Sequence, residues 1–157
     1  MWFPFAWSER WQSEFPTAKR ISDAEWRGDL KDGTGTLRLG SGAFEGKYSY
    51  KSRFEDGPGT NPEELIAAAH AACFSMALSA ALSQKGHAPT SIHTKATVDF
   101  GPVAGGFAIS RITLETEGQV PGIDSATFEQ VAQAAKAECP VSKALAAVEI
   151  NLVAKLR

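Results

Sequence analysis

Hydrophobic and polar residues alternate with a period of two along much of this chain. Ile92, Thr94, Ala96, Val98 and Phe100 are interleaved with His93, Lys95, Thr97 and Asp99, which predicts a strand buried on one face. After a turn over 102–106, residues 107–118 return as a second strand. Its apolar phase slips between Ile109 and Ile112, which predicts a bulge near Ser110. Val148, Ile150, Leu152, Ala154 and Leu156 alternate with Glu149, Asn151, Val153 and Lys155 and predict a closing strand. Earlier in the chain, residues 24–27, the turn Asp32-Gly33, residues 34–39, the turn Gly40-Ser41-Gly42, a short stretch near 43–44 and residues 47–54 predict an antiparallel meander. Residues 55–59 follow as a loop.

Two stretches have helical signals instead. Thr60 or Asn61 caps the first, Pro62 suits the first helical position, and Glu63 and Glu64 face the positive end of the dipole. This helix runs to about Gln84 and ends at Lys85-Gly86. It carries no charge from Leu65 to Ser83, so a membrane span must be weighed. Its alanines, with His70, Cys73, Ser75 and Ser79, are too weakly apolar for that and favour a fully buried central helix. In the second stretch Asp124 or Ser125 caps, and Phe128, Val131, Ala132 and Ala135 share one face as far as Glu138. Cys139-Pro140 breaks this helix, and residues 141–147 form a short final one. The order meander, helix, hairpin, helix, strand describes an α+β fold with antiparallel sheets packed on a long central helix.

The length of 157 residues favours one domain, placed at 19–157. Residues 1–18 differ: Trp2, Phe3, Phe5, Trp7, Trp11 and Phe15 follow no period and read as a flexible extension or as an aromatic arm for a partner subunit. A net charge of −2 with dispersed Lys and Arg excludes the basic footprint of a nucleic-acid binder. The first residues lack a basic leader and are broken by Pro4, Glu9 and Arg10, so a cytoplasmic location is expected. There, a cysteine pair is more often catalytic, redox-sensing or metal-binding than structural.

Cys73 and Cys139 are the two cysteines. Cys73 lies about ten residues into its helix, far from that helix's own N-terminal amides, and burial alone would raise its pKa and silence it. Residues 65–84 hold no Lys or Arg, so an activating cation must come from another element. Arg53, expected to close the strand before the helix, is the first candidate and Arg27 the second; Glu63 is placed to orient Arg53. Glu63 and Cys73 are ten residues apart, ~15 Å along a straight helix. A shared site would therefore take Cys73 from one chain and Arg53 with Glu63 from another, which implies a dimer. Cys139, before Pro140, falls near an N-cap where the dipole favours a thiolate, as suits a resolving thiol; two unrelated core cysteines remain the alternative. His70 shares a face with Cys73 and can be a base, a zinc ligand with Cys73 and Cys139, or a core histidine. The spacing lacks the paired ligands of known zinc sites, which favours the core reading. His87 and His93 read as surface residues.

The run Asn61-Pro62-Glu63-Glu64-Leu65-Ile66-Ala67-Ala68-Ala69-His70-Ala71-Ala72-Cys73-Phe74-Ser75-Met76, followed by Ala137-Glu138-Cys139-Pro140-Val141-Ser142, resembles the osmotically inducible protein C (OsmC) family. The resemblance extends over roughly 24–156 and includes Glu25-Trp26-Arg27-Gly28-Asp29 and Arg53-Phe54-Glu55. Ala69-His70-Ala71-Ala72-Cys73 is closer to the OsmC branch than to the organic hydroperoxide resistance (Ohr) branch. The resemblance implies an intertwined homodimer with two interfacial sites and a thiol-dependent peroxidase of oxidative and osmotic stress defence, which needs neither metal nor flavin. It implies Cys73 as the peroxidatic thiol, Cys139 as the resolving thiol, Arg53 as activator of thiolate and peroxide, and Glu63 as the group that holds Arg53. The expected substrate is an organic hydroperoxide, with hydrogen peroxide a weaker one. The expected reductant is an external dithiol such as a lipoylated protein. No nucleic acid or membrane partner is expected. A redox sensor that oxidises once without turnover is the alternative.

Overall fold

The computed structural model describes residues 16–157, and the chain divides after residue 65 into two units. The aromatic extension expected over 1–18 lies mostly outside the described residues.

The first unit holds the meander β1 (Ser22–Arg27), β2 (Thr34–Leu39) and β3 (Glu45–Ser49), antiparallel in the order β1-β2-β3. The β1–β2 turn is held by Asp29, whose Oδ1 accepts from the amides of Lys31 at 2.9 Å and Asp32 at 2.8 Å. Gly28 supplies the left-handed φ of 93° that this turn requires. Trp26 packs on Tyr48 across the sheet, with ring centroids 5.4 Å apart.

Residues 47–54 do not form one strand as the pattern predicts. The chain leaves the sheet at Ser49 and winds into a short helix, α1 (Tyr50–Phe54). The cause is local: Ser49 Oγ accepts from the Ser52 amide at 3.1 Å while Ser52 Oγ accepts from the Ser49 amide at 2.9 Å, a reciprocal capping box. Ser52 Oγ also reaches Thr60 O at 2.7 Å, and Asn61 Nδ2 donates to Ser52 O at 3.0 Å. These bonds tie α1 to the start of α2 (Pro62–Gln84). Asn61 is the cap, with Oδ1 accepting from the Glu64 amide at 2.8 Å.

The second unit begins within α2 and adds β4 (Ser91–Val103), β5 (Gly106–Gln119), α3 (Ser125–Glu138), α4 (Pro140–Ala144) and β6 (Glu149–Leu156). α2 stops in a Schellman motif: His87 N bonds Leu82 O at 3.0 Å, Gly86 N bonds Ser83 O at 3.0 Å, and Gly86 takes φ 84°. β4 and β5 form the predicted antiparallel hairpin. The register skips Ser110, since Phe100 pairs with Ile109 and Asp99 with Arg111, so the bulge falls where the apolar phase slips. α3 is capped by Asp124 and α4 is shorter than the predicted 141–147.

β6 pairs with β5 in parallel, Arg111 with Glu149 through Gly118 with Leu156. The second sheet, ordered β4-β5-β6, is therefore mixed rather than antiparallel throughout. Parallel neighbours require a crossover connection, and α3 with α4 provides it. The fold is α+β. Phe74, Leu78 and Leu82 of α2, Ile112 and Leu114 of β5, and Phe128, Ala132 and Ala135 of α3 are fully buried together. Each of the larger side chains contributes about 1.5–3 kcal/mol by leaving water. A directed hydroxyl chain pins α2 to the sheet: Ser75 Oγ donates to Thr94 Oγ1 at 2.8 Å, Thr94 bonds Thr116 at 2.9 Å, and Thr116 Oγ1 reaches His93 O at 3.3 Å.

The expected full burial of α2 holds on one face. On the other, Ala68, Ala69, Ala72 and Met76 are exposed in the single chain, Met76 at 75%. α2 is long and apolar enough by composition to cross a membrane; its packing on the sheet accounts for that composition on the face that it buries.

Candidate active site

Cys73 and Cys139 meet in the second unit. Cys73 projects from the middle of α2, partly exposed, beside the fully buried Phe74. Cys139 ends α3 and starts α4 at once. Its amide bonds Ala135 O at 2.9 Å, and its carbonyl accepts from Lys143 N at 3.0 Å. The following proline disfavours helical ψ, and Cys139 sits at φ −60°, ψ 121°. This kink brings its buried sulfur to 3.1 Å from Cys73 Sγ. Both cysteines are free.

Burial pushes the Cys73 thiol above its ordinary pKa, and the hydrogen bond and charge interaction with Cys139 push the same way. The backbone amide of Val141 opposes them. Val141 is the second residue of α4, so a helix N-terminus does reach Cys73, though it belongs to α4 and not to α2. The sequence pattern gives that dipole to Cys139. In the structure Cys139 holds the N-cap position, but its side chain makes no capping bond. The signal for a helix start, Pro140, is legible in the sequence; which sulfur it faces is not.

His70 is fully buried, and its Nε2 lies 2.8 Å from Ser142 Oγ. Burial lowers its pKa, which keeps the imidazole neutral near neutral pH. Nδ1 has no hydrogen-bond partner among the described residues. His70 is thus a core histidine satisfied on one side. Among the described residues no group of three or more His, Cys, Asp or Glu is arranged to hold a metal ion. Ser142 is a site residue that the pattern of apolar positions does not single out, because its partner lies 72 positions away.

Arg53 and Glu63 meet in the first unit. Arg53 stands in the last turn of α1, not at the end of a strand, and Glu63 in the first turn of α2. Nη2 lies 2.8 Å from Glu63 Oε1, and Nε is 3.3 Å from each carboxylate oxygen. The Glu63 side chain is 10% exposed and the Arg53 side chain 36%. The guanidinium also lies over the Phe54 ring, 5.5 Å from its centroid. Arg27, the second candidate cation, pairs with Glu25 at 3.0 Å on the exposed strand β1. The four site residues expected from the sequence thus fall into two pairs, one in each unit.

A sequence profile described as OsmC-like protein matches residues 55–153. The chain is 51% identical over 142 residues to the peroxiredoxin OsmC of Escherichia coli (strain K12), covering 90% of this chain and 99% of that one. It is 39% identical over 89 residues to the organic hydroperoxide resistance protein of Xanthomonas axonopodis pv. citri (strain 306), covering 56% and 61% of the two chains. Its fold is similar to that of the solved organic hydroperoxide resistance protein OhrB of Bacillus subtilis, with a TM-score of 0.66, 24% identity and coverage of 87% and 98%.

Proposed function

The chain belongs to the OsmC family, on its OsmC branch, and from that premise we propose that it is a thiol peroxidase in which Cys73 attacks a hydroperoxide and Cys139 resolves the product. The observation that carries this reading is the approach of two free sulfurs, 66 positions apart in sequence, to 3.1 Å. Reacting atoms about 3–3.5 Å apart are already in near-attack range.

The Cys73 thiolate attacks the terminal oxygen of R–O–O–H. The O–O bond breaks, an S–O bond forms, and the alkoxide leaves and takes a proton as the alcohol. Cys73 is now a sulfenic acid, oxidised by two electrons. The Cys139 sulfur attacks it, the S–S bond forms, and the S–OH bond breaks, releasing water with the thiol proton. An external dithiol then reduces the disulfide by two exchanges and is itself oxidised. A lipoylated protein, thioredoxin or a small dithiol fits that role.

Alkyl hydroperoxides are the favoured substrates. Ala69 and Met76, four residues before and three after Cys73, are exposed on α2 and offer an apolar contact for the alkyl group. The same open stripe supports a homodimer, in which a second chain would line the far side of that substrate contact and cover the rest of the stripe. In that assembly Arg53, steadied by Glu63, reaches Cys73 of the other chain and counters the effect of burial on the thiol. Residues 19–157 act in it as one domain, and the location is cytoplasmic.

Consumption of cumene hydroperoxide and of hydrogen peroxide with several dithiols tests the reading. Wild type should turn over, fastest with the organic peroxide, and Cys73→Ser should be inactive. Equal rates for the two proteins would end the assignment. The raised pKa of Cys73 in the single chain favours one rival, a slow sensor thiol; a single oxidation with no steady state in excess dithiol would select it.

A further inference from the structure

We propose that His70 and Ser142 are positioning residues that decide the fate of oxidised Cys73, steering its sulfenic acid to Cys139 and away from a second molecule of hydroperoxide. The proposal rests on the peroxidase reading above and adds a determinant of resistance to over-oxidation.

Two contacts join the same two helices like rungs. The thiol pair is one, at 3.1 Å, and the His70 Nε2 to Ser142 Oγ bond is the other, at 2.8 Å. His70 precedes Cys73 by three residues on α2, and Ser142 follows Cys139 by three residues in α4, so each rung repeats the other about one turn away. α4 has five residues and no side-chain cap, which is too short to hold its place by helix formation alone. Cys139 is tied to α3 on its N-terminal side by its amide bond to Ala135 O, and an anchor on its α4 side completes the hold on its sulfur. His70 supplies one from a fully buried position on a long, well-packed helix.

The imidazole does more than fill space. A purely apolar side chain would avoid the cost of the buried Nδ1 that lacks a partner among the described residues. What the imidazole adds is the bond to Ser142, itself only 5% exposed, and a buried bond of this kind costs most when one partner is lost.

The sulfenic acid has two exits. In the first, Cys139 attacks, the S–S bond forms and hydroxide leaves as water. In the second, the sulfenate attacks another hydroperoxide, the O–O bond breaks, and Cys73 becomes a sulfinic acid while an alcohol is released. The first exit depends on the position of α4; the second does not. Loosening α4 therefore shifts the partition toward sulfinic acid.

The test is a hydroperoxide titration with dithiol recycling, read by intact mass as disulfide or sulfinic acid. Ser142→Ala and His70→Phe should reach half over-oxidation at about tenfold lower cumene hydroperoxide than wild type, the factor expected for loss of one buried hydrogen bond from the resolving step. Ser142→Thr, which keeps the hydroxyl, and His70→Gln, which keeps a polar atom near Nε2, should restore the wild-type threshold. Ser142→Ala removes one atom, so it reads the effect even if His70→Phe fails to fold. Thresholds equal to wild type in a folded Ser142→Ala protein would overturn the proposal, as would failure of Ser142→Thr to restore it. If wild type itself forms no Cys73–Cys139 disulfide with hydroperoxide, the peroxidase reading falls and takes this one with it.

Discussion

Replacing Gly118 by alanine should destabilise the protein by about 1–2 kcal/mol, although glycine to alanine in a strand ordinarily stabilises. Gly118 lies on β5, the central strand of its sheet, where backbone partners on both sides leave it little room to move. A Cβ there would stand 2.6 Å from both Cε2 and Cζ of Phe128 and 3.4 Å from Val120 Cγ2. Carbon atoms pack comfortably at about 3.5–4 Å, so the ring must retreat by roughly 1 Å. Phe128 is fully buried among Val131, Ala132 and Ala135 and has nowhere to go. Overpacking of this kind costs about 1–3 kcal/mol, against a gain of roughly 0.5–1 kcal/mol from the lost flexibility of glycine. Urea unfolding of the single variants and of Gly118→Ala with Phe128→Leu would separate the terms. The double variant should be more stable than the sum of the two single losses predicts, because leucine vacates the ring position. A neutral or stabilising Gly118→Ala, or strict additivity, would refute the argument.

Four further outcomes follow from the site. Cys139→Ser should stop the cycle at a Cys73 sulfenic acid, trapped by a carbon nucleophile, with steady-state turnover at least about a hundredfold lower because the near-attack partner is gone. Arg53→Ala should raise the Cys73 pKa, seen in thiolate absorbance, and slow the first step at neutral pH; an unchanged titration would pass the role to another cation such as Arg27. Met76→Asp places a charge on the open stripe of α2, and sedimentation should show a monomer with reduced activity. His70 resists protonation when folded, so between its usual value and its lowered one the unfolded chain binds a proton that the native chain refuses. Stability should therefore be fully present above pH about 6.5 and fall as the pH drops toward the lowered value, by at most about 1.4 kcal/mol per unit. The urea midpoint of His70→Gln should lose that part of the slope.

Much of this fold is local and could be read from the chain. The proline after Asn61 and the glycine after Lys85 bound α2 because they act on backbone within a residue or two. Ser110 announces its bulge because one extra residue flips every later side chain to the other face. α1 escaped because its box pairs two serines, Ser49 and Ser52, where a serine with a later glutamate or glutamine is the recognisable signal. The parallel direction of β6 escaped because alternation has no direction. At the site, the residue types were legible and their partners less so. The Arg53–Glu63 pair spans ten positions and lies within reach of local reasoning. The Val141 amide at Cys73 and the His70–Ser142 bond join segments some seventy positions apart, and only the packing of α4 against α2 creates them.

The crossover that makes β6 parallel also sets a timetable. Cys139 rides on the connection between β5 and β6, and β6 comes after both cysteines in chain order. Chains emerge from the ribosome at about 5–20 residues per second, so a newborn polypeptide exposes its first sulfur for seconds before the second exists, and longer until the final ribbon zips alongside β5. An oxidant that strikes during that interval meets a lone thiol with no resolving partner in its own chain. On the proposed cycle the finished molecule holds its own resolving sulfur, while the unfinished one depends wholly on the reducing capacity around it.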